Sequence, residues 1–154
     1  ILCYNTSKGI KMKIAIINGP NLNALGQRER NIYGNTTLED LEALWFEYGK
    51  KKNIEIITYQ SNLEGEIINY LYDNQDTVDG YIINPGALTH YSYSLRDCLA
   101  AVYKPVIEVH ISNIEAREEF RKLSVVSPVV QGKVAGFGLK GYLLAIDSFL
   151  LSNE

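Results

Sequence analysis

The chain has 154 residues, 46% of them hydrophobic and 21% charged, with a formal net charge of −3 at pH 7. That length suits one domain burying roughly two thirds of its unfolded surface, and no apolar run approaches the ~20 residues that a membrane span requires. The slight negative charge argues against a nucleic-acid surface, which needs a basic face to neutralise phosphates, so the expected partner is a small molecule.

Residues 1–11, ILCYNTSKGIK, lack the long apolar core of a signal peptide and precede Met12, a natural start. They are expected to be an extension or an expression remnant, with a single domain over 12–154. The two cysteines, Cys3 and Cys98, make neither a disulfide framework nor a metal-spaced cluster, which points to a reducing, cytoplasmic compartment.

Five β-rich runs follow, KIAIIN (13–18), IEIITY (54–59), GYIIN (80–84), VIEVHI (106–111) and KVAGF (133–137), each succeeded by a segment of helical spacing. After the first, Leu38, Leu41, Leu44, Trp45 and Tyr48 form an apolar stripe behind a capping box of Thr37 and Asp40. Ser61 and Glu64 repeat that capping spacing before Leu63, Ile67, Ile68 and Leu71. Leu95, Leu99 and Val102 mark the third helix, and a fourth is expected from about Ser112 through Ala116 and Phe120. Leu143, Leu144, Ile146, Phe149 and Leu150 describe a largely buried last one. Alternating strands and helices predict an α/β fold, a flavodoxin-like doubly wound five-stranded parallel sheet in a three-layer α/β/α sandwich. Ligands of such sheets bind beyond the carboxyl ends of the strands.

The loops at those ends are the polar ones: NGPNLN (18–23), running into GQRERNIYG (26–34), then NPGALTHYS (84–92) and EVHISN (108–113). Both histidines of the chain, His90 and His110, fall in them. Glu108 and His110 are two apart on a strand, so they share a face. A carboxylate beside an imidazole stabilises its protonated form, as a general acid requires; an ion pair that merely ends the strand is the alternative. Free amides after His110 suit an anion, unless Ser112 and Glu115 cap the helix themselves. Arg117 and Arg121, one helical turn apart with Glu118 and Glu119 between them, also fit an exposed charged face.

The run GFGLKG (136–141) matches a dinucleotide fingerprint, but only thirteen residues follow Gly141, too few for the strand and acidic residue that such a site needs. These glycines are expected to make a tight turn and close helix packing. Two histidines twenty residues apart do not resemble a metal site. A non-catalytic flavodoxin-like module for a small molecule or nucleotide is the main rival to an enzyme, although GPNLNALG is a poor phosphate cradle.

The segments INGPNLNALGQRERNIYGNTTLEDL, INPGALTHYSYSLRDCLAA, PVIEVHISNIEAREEFRKLSVVSP and GFGLKGYLLAI together resemble the type II 3-dehydroquinate dehydratases, in order and spacing, from about Met12 to the C-terminus. The resemblance implies a hydro-lyase that needs no metal or cofactor and removes water from 3-dehydroquinate to give 3-dehydroshikimate through an enolate. It implies Tyr33 as base, Arg28 to stabilise the ionised tyrosine, His110 as acid supported by Glu108, and Asn21 to hold a water near the enolate oxygen. Asn84, His90 and Arg121 match positions that bind substrate hydroxyls, and the backbone of Ile111 and Ser112 matches the seat of the carboxylate. Asp97 matches a residue that reaches a neighbouring subunit's site in a homododecamer of trimers. Arg30 stands where the family usually has proline; it is expected to face solvent, with a second positive charge at the site as the alternative.

Overall fold

The computed structural model describes residues 11–27 and 30–151, and at Ile32 and Tyr33 the backbone alone. The expected extension therefore lies almost wholly outside the described residues, as does Arg28. Five strands, β1 (Met12–Asn18), β2 (Ile54–Gln60), β3 (Gly80–Asn84), β4 (Val106–His110) and β5 (Gly132–Ala135), pair in parallel in the order β2-β1-β3-β4-β5. That order reverses between β1 and β3, the switch point of a flavodoxin-like sheet. The helices are the single turn α1 (Arg30–Tyr33), α2 (Leu38–Lys52), α3 (Glu64–Asn74), α4 (Tyr93–Ala101) and α5 (Lys140–Ser148).

Alternation along β1 builds both cores. Ile14 and Ile16 pack with Leu41 and Trp45 of α2 and Tyr142, Ala145 and Ile146 of α5. Ala15 and Ile17 pack on the opposite face with Ile67 and Leu71 of α3 and Leu95, Cys98 and Leu99 of α4. A strand buried on both faces is expected to be almost wholly apolar, and β1 and β3 are so until each ends in asparagine. Those two residues, Asn18 and Asn84, are register partners at the switch point.

Thr37 and Asp40 form the expected reciprocal cap, Thr37 Oγ1 accepting from the Asp40 amide at 3.2 Å and Asp40 Oδ2 from the Thr37 amide at 2.9 Å. Ser61 and Glu64 do not. The helix begins at Glu64 itself, so Ser61 Oγ accepts from the Leu63 amide and donates to Glu66 at 2.5 Å, while Glu64 accepts from Ser92. The expected helix from Ser112 is also absent. Two short 3-10 turns, Ile114–Ala116 and Glu119–Lys122, take its place, separated by extended backbone at Arg117 and Glu118. Phe120 is exposed, so this segment has no large apolar face to bury, and helix propensity without tertiary packing does not hold a helix. In α5 the buried residues are Gly141, Tyr142, Ala145 and Ile146, with Leu144 outward. Gly136 and Gly138 turn through positive φ, and Gly141 packs its backbone against Val109 and Val134, so GFGLKG is a turn and a packing surface.

Gly49 sets how closely α2 approaches the sheet: a Cβ there would stand 2.8 Å from the Ile54 carbonyl oxygen and 2.6 Å from Ile56 Cγ1. Gly49→Ala is expected to cost about 1–3 kcal/mol through overpacking. Gly65→Ala, in a helix with nothing within 4 Å of the added carbon, is expected to be neutral or to stabilise by up to about 1 kcal/mol. Urea unfolding of the two variants checks the pair, which should differ in sign or by well over 1 kcal/mol.

Candidate active site

A cavity of about 200 Å³ opens beyond the carboxyl ends of β1, β3 and β4. Asn21, Asn84, His90, His110, Ile111, Ser112 and Arg121 all line it, so seven of the residues expected at the site meet there. Asp97 does not: its side chain is 77% exposed on α4 beside Arg96. The lining also includes Arg117, and among the described residues it contains no carboxylate and no lysine. Such a surface suits a small, hydroxylated anion.

The side chains of Asn84, His90 and His110 are each fixed from behind. Asn84 Oδ1 accepts from the Gly86 amide at 3.1 Å, and its Nδ2 donates to Tyr142 Oη at 2.9 Å. Tyr142 in turn donates to Asn18 Oδ1 at 2.7 Å. This chain of bonds spans the switch point and settles which end of the Asn84 amide is nitrogen. Asn21 holds a left-handed φ of 71°, and its amide donates to Asn62 Oδ1 at 2.8 Å. Asparagine tolerates that backbone better than most side chains, and here it turns the residue toward the cavity.

His90 Nδ1 lies 2.7 Å from the Leu123 carbonyl oxygen, so that nitrogen carries a proton and donates. Burial lowers its pKa below the usual histidine value, against the raising effect of the Leu123 bond and with help from the charges of His110 and Arg121. The ring is therefore neutral at neutral pH, with Nε2 left to accept from a hydroxyl.

Glu108 is fully buried, and its Oε1 stands 2.6 Å from His110 Nε2. Burial alone would raise the carboxyl. The His110 hydrogen bond and charge, with hydroxyls of Ser127 and Thr89, outweigh it and hold the group at about 2. Glu108 is thus ionised, His110 gives its Nε2 proton to that contact, and Nδ1 is the ring nitrogen left for the cavity.

The competing readings of the segment after His110 also separate. Ser112 makes no cap with Glu115; its Oγ accepts from Arg117 Nη1 at 3.4 Å. The Ile111 carbonyl accepts from Gly138, while among the described residues no acceptor takes the amides of Ile111 or Ser112. Two backbone donors thus lie at the cavity wall. Arg121 binds Glu118 at 2.7 Å and lies over the Phe120 ring, and the Arg117 side chain is only 13% exposed. The exposed-face reading therefore fails for Arg117, whose place in the lining has no signature in the residues around it. Thr89, Ser124, Ser127 and Tyr142 were equally unmarked, because hydroxyls carry no spacing signal. Arg30 is exposed, is not part of the lining, and donates from Nε to the Gly26 carbonyl at 3.1 Å.

Tyr33 is the last residue of α1, and its side chain, like all of Arg28, lies outside what the structure describes. Among the described residues no three His, Cys, Asp or Glu side chains gather as metal ligands, and no helix is long and apolar enough to cross a membrane.

The depressed Glu108 pKa predicts an acid limb. The carboxyl falls from an ordinary 4.5 to about 2 on folding, so its contribution is full above about 4.5 and is lost as pH falls toward 2. The amount is on the order of 3 kcal/mol. Glu108→Gln should be less stable at pH 7 and flatter between pH 4.5 and 2, measured by urea unfolding across that range; an equally steep limb would contradict the assignment.

Comparison with known proteins fits this geometry. The family model described as "Dehydroquinase class II" matches residues 12–150. A 3-dehydroquinate dehydratase from Dictyoglomus turgidum is 53% identical over 140 residues, covering 91% of this chain and 97% of its own. The crystal structure of a type II dehydroquinase from Butyrivibrio crossotus superposes with a TM-score of 0.91 at 55% identity, covering 93% of this chain and 100% of that one. One from Propionibacterium acnes gives 0.88 at 44% identity over 91% and 97%. The chain belongs to the class II dehydroquinase family.

Proposed function

We propose that the cavity removes water from 3-dehydroquinate through an enolate, with Tyr33 as base and His110 as acid. The chain is a 3-dehydroquinate dehydratase, a hydro-lyase, by its family and by its identity to enzymes of that name over most of its length. The division of labour is our reading, and the observation that carries it is the buried Glu108–His110 pair, with His110 at the cavity wall beside the Ile111 and Ser112 amides, which no acceptor takes among the described residues.

The substrate carboxylate takes those two amides, and Asn84, His90 and Arg121 take ring hydroxyls. Tyr33, as phenolate, removes a proton from the carbon beside the ketone, and the C–H electron pair forms the enolate. A water held by Asn21 supports the enolate oxygen. The enolate then collapses: the carbonyl reforms, the pair makes the new C=C bond, and the β C–O bond breaks. His110 gives its Nδ1 proton to the departing hydroxyl, which leaves as water, while Glu108 keeps the other ring nitrogen hydrogen-bonded. The proton on Tyr33 returns to His110 through solvent to reset the site.

Magnitudes show what the surroundings of Tyr33 must supply. A tyrosine titrates near 10, so substantial ionisation at pH 7 needs about 3 units, or ~4 kcal/mol. Burial works against it, and a single nearby cation gives about 1–3 units. Arg28 is the assigned cation, and Arg117 and Arg121 add positive potential from the lining. A Schiff-base route has no lysine among the described lining residues. Oligomerisation is part of the same reading: Asp97 lies outside its own cavity, and Tyr91, Tyr93 and Tyr103, on or beside α4, are more than half exposed, as a surface that meets a second copy would be.

Purified, chelator-treated protein mixed with 3-dehydroquinate should generate the ultraviolet absorbance of a conjugated enone; a flat trace from folded protein would refute the reading. Tyr33→Phe should lower kcat by about 10²–10⁴-fold, the usual worth of a general base, with the fold intact. His110→Asn should lose kcat on the same scale while KM moves by about threefold or less, since the acid acts in the transition state. Retention of more than about a tenth of wild-type kcat in the tyrosine variant would remove Tyr33 as the base.

A further inference from the structure

Segment 118–127, which starts inside the span expected to be helical and runs on toward β5, reaches the site through five residues. Arg121 lines the cavity. The Leu123 carbonyl holds His90 Nδ1, and the Val125 amide donates to the Thr89 carbonyl at 2.8 Å. Ser124 and Ser127 turn back to Glu108. Ser127 Oγ donates to Oε2 at 2.5 Å, while Oε1, already bonded to His110, accepts from Thr89 and lies 3.2 Å from Ser124 Oγ. Ser124 Oγ accepts from the amides of Val126 and Ser127, at 3.2 and 2.9 Å, which fills both its lone pairs. Its own proton must therefore be donated, to Glu108 or to Thr89 Oγ1 at 2.8 Å.

Hydroxyls of Thr89 and Ser127 thus donate to one buried carboxylate, Ser124 joins them directly or through Thr89, and two of the three come from the segment that bears Arg121. A carboxylate that accepts this many donors is ionised and fixed in orientation. Fixing Glu108 fixes the His110 ring, whose Nδ1 must meet the leaving hydroxyl within a few tenths of an ångström of its best position.

We propose that Ser124 and Ser127 are positioning residues of the dehydration, fastening the Arg121 segment to Glu108 so that the aim of the His110 proton is held by the same stretch of backbone that carries Arg121. This rests on the functional reading above and extends it to residues outside the cavity wall. Among the described residues the titratable groups that face Glu108 are His110, from its own strand, and His90, from the 86–90 turn, which feels its charge. The serine segment brings hydroxyls to Glu108, and its Arg121 charge acts on His90.

Ser127→Ala removes the sole hydroxyl on Oε2 among the described residues. We expect kcat to fall about 10- to 100-fold, the worth of one hydrogen bond to a charged group, with KM within about threefold and activity restored in Ser127→Thr, which keeps the hydroxyl. In the absence of substrate, and followed from pH 7 to 2, the Glu108 carboxyl ¹³C resonance should stay flat down to pH 4 in the wild type and titrate only near 2. In Ser127→Ala it should titrate with its midpoint raised by about one unit or more, because the ionised form has lost a donor. An active wild type with an unchanged Ser127→Ala kcat, an equal loss in the alanine and threonine variants, or an unmoved carboxyl titration overturns the proposal. A wild type that makes no enone overturns the functional reading instead.

Discussion

A carboxylate inside a parallel sheet is the constraint around which the site is built. Glu108 sits in the middle of β4 with no exposed surface, where an isolated charge would be pushed toward neutrality. Removing charge from water costs several kcal/mol even after relaxation, and only close hydrogen-bonded partners recover it. The fold supplies them from three places: His110 from the same strand, Thr89 from the turn after β3, and Ser124 and Ser127 from the connection to β5. A neutral Glu108 would leave His110 without a counter-charge, and a solvated one would leave it without a fixed direction.

The sheet order makes this assembly possible. Because β1 and β3 are neighbours at the switch point, their loops diverge and open a crevice whose third wall is the end of β4. Tyr142 reaches this region from α5, packs on Trp45 at 4.4 Å, and joins Asn18 to Asn84. One aromatic residue thereby serves both the α2–α5 core and the orientation of a cavity-facing amide. The cost is visible nearby, since Asn18 Nδ2 and Trp45 Nε1 are buried with no partner among the described residues, a penalty of about 1–3 kcal/mol each that the surrounding core must offset.

Much of this was legible in the residues. Strands β1, β3 and β4 announce themselves because β-branched runs end abruptly in asparagine or histidine, and β3 was read to its limits. The Thr37 cap and the stripe through Leu41 and Trp45 are local patterns that the structure obeys. The segment after β4 was misread for a physical reason. Its Ala-Arg-Glu-Glu-Phe run has good helix formers, but helices in proteins are stabilised by burying a face, and here Phe120 stays outside while Arg117 and Arg121 turn toward the cavity. The hydroxyl cage had no signal, since its members are scattered from position 89 to 127 and meet only through the fold. Tyr33 and Arg28 were named by family resemblance alone; a tyrosine and an arginine in a charged loop do not identify themselves as a base and its partner.

The pose of a bound analogue decides which groups act as acid and base. A crystal structure with an analogue of 3-dehydroquinate in which the ring ketone is a hydroxyl, so that elimination is blocked, should place the carboxylate about 3 Å from the Ile111 and Ser112 amides. Ring hydroxyls should reach Asn84, His90 and Arg121, with the leaving oxygen at His110 Nδ1 and the Tyr33 oxygen over the acidic carbon. A carboxylate seated elsewhere, or an His110 ring turned away from the leaving oxygen and from Glu108, would contradict the assignment of acid and base.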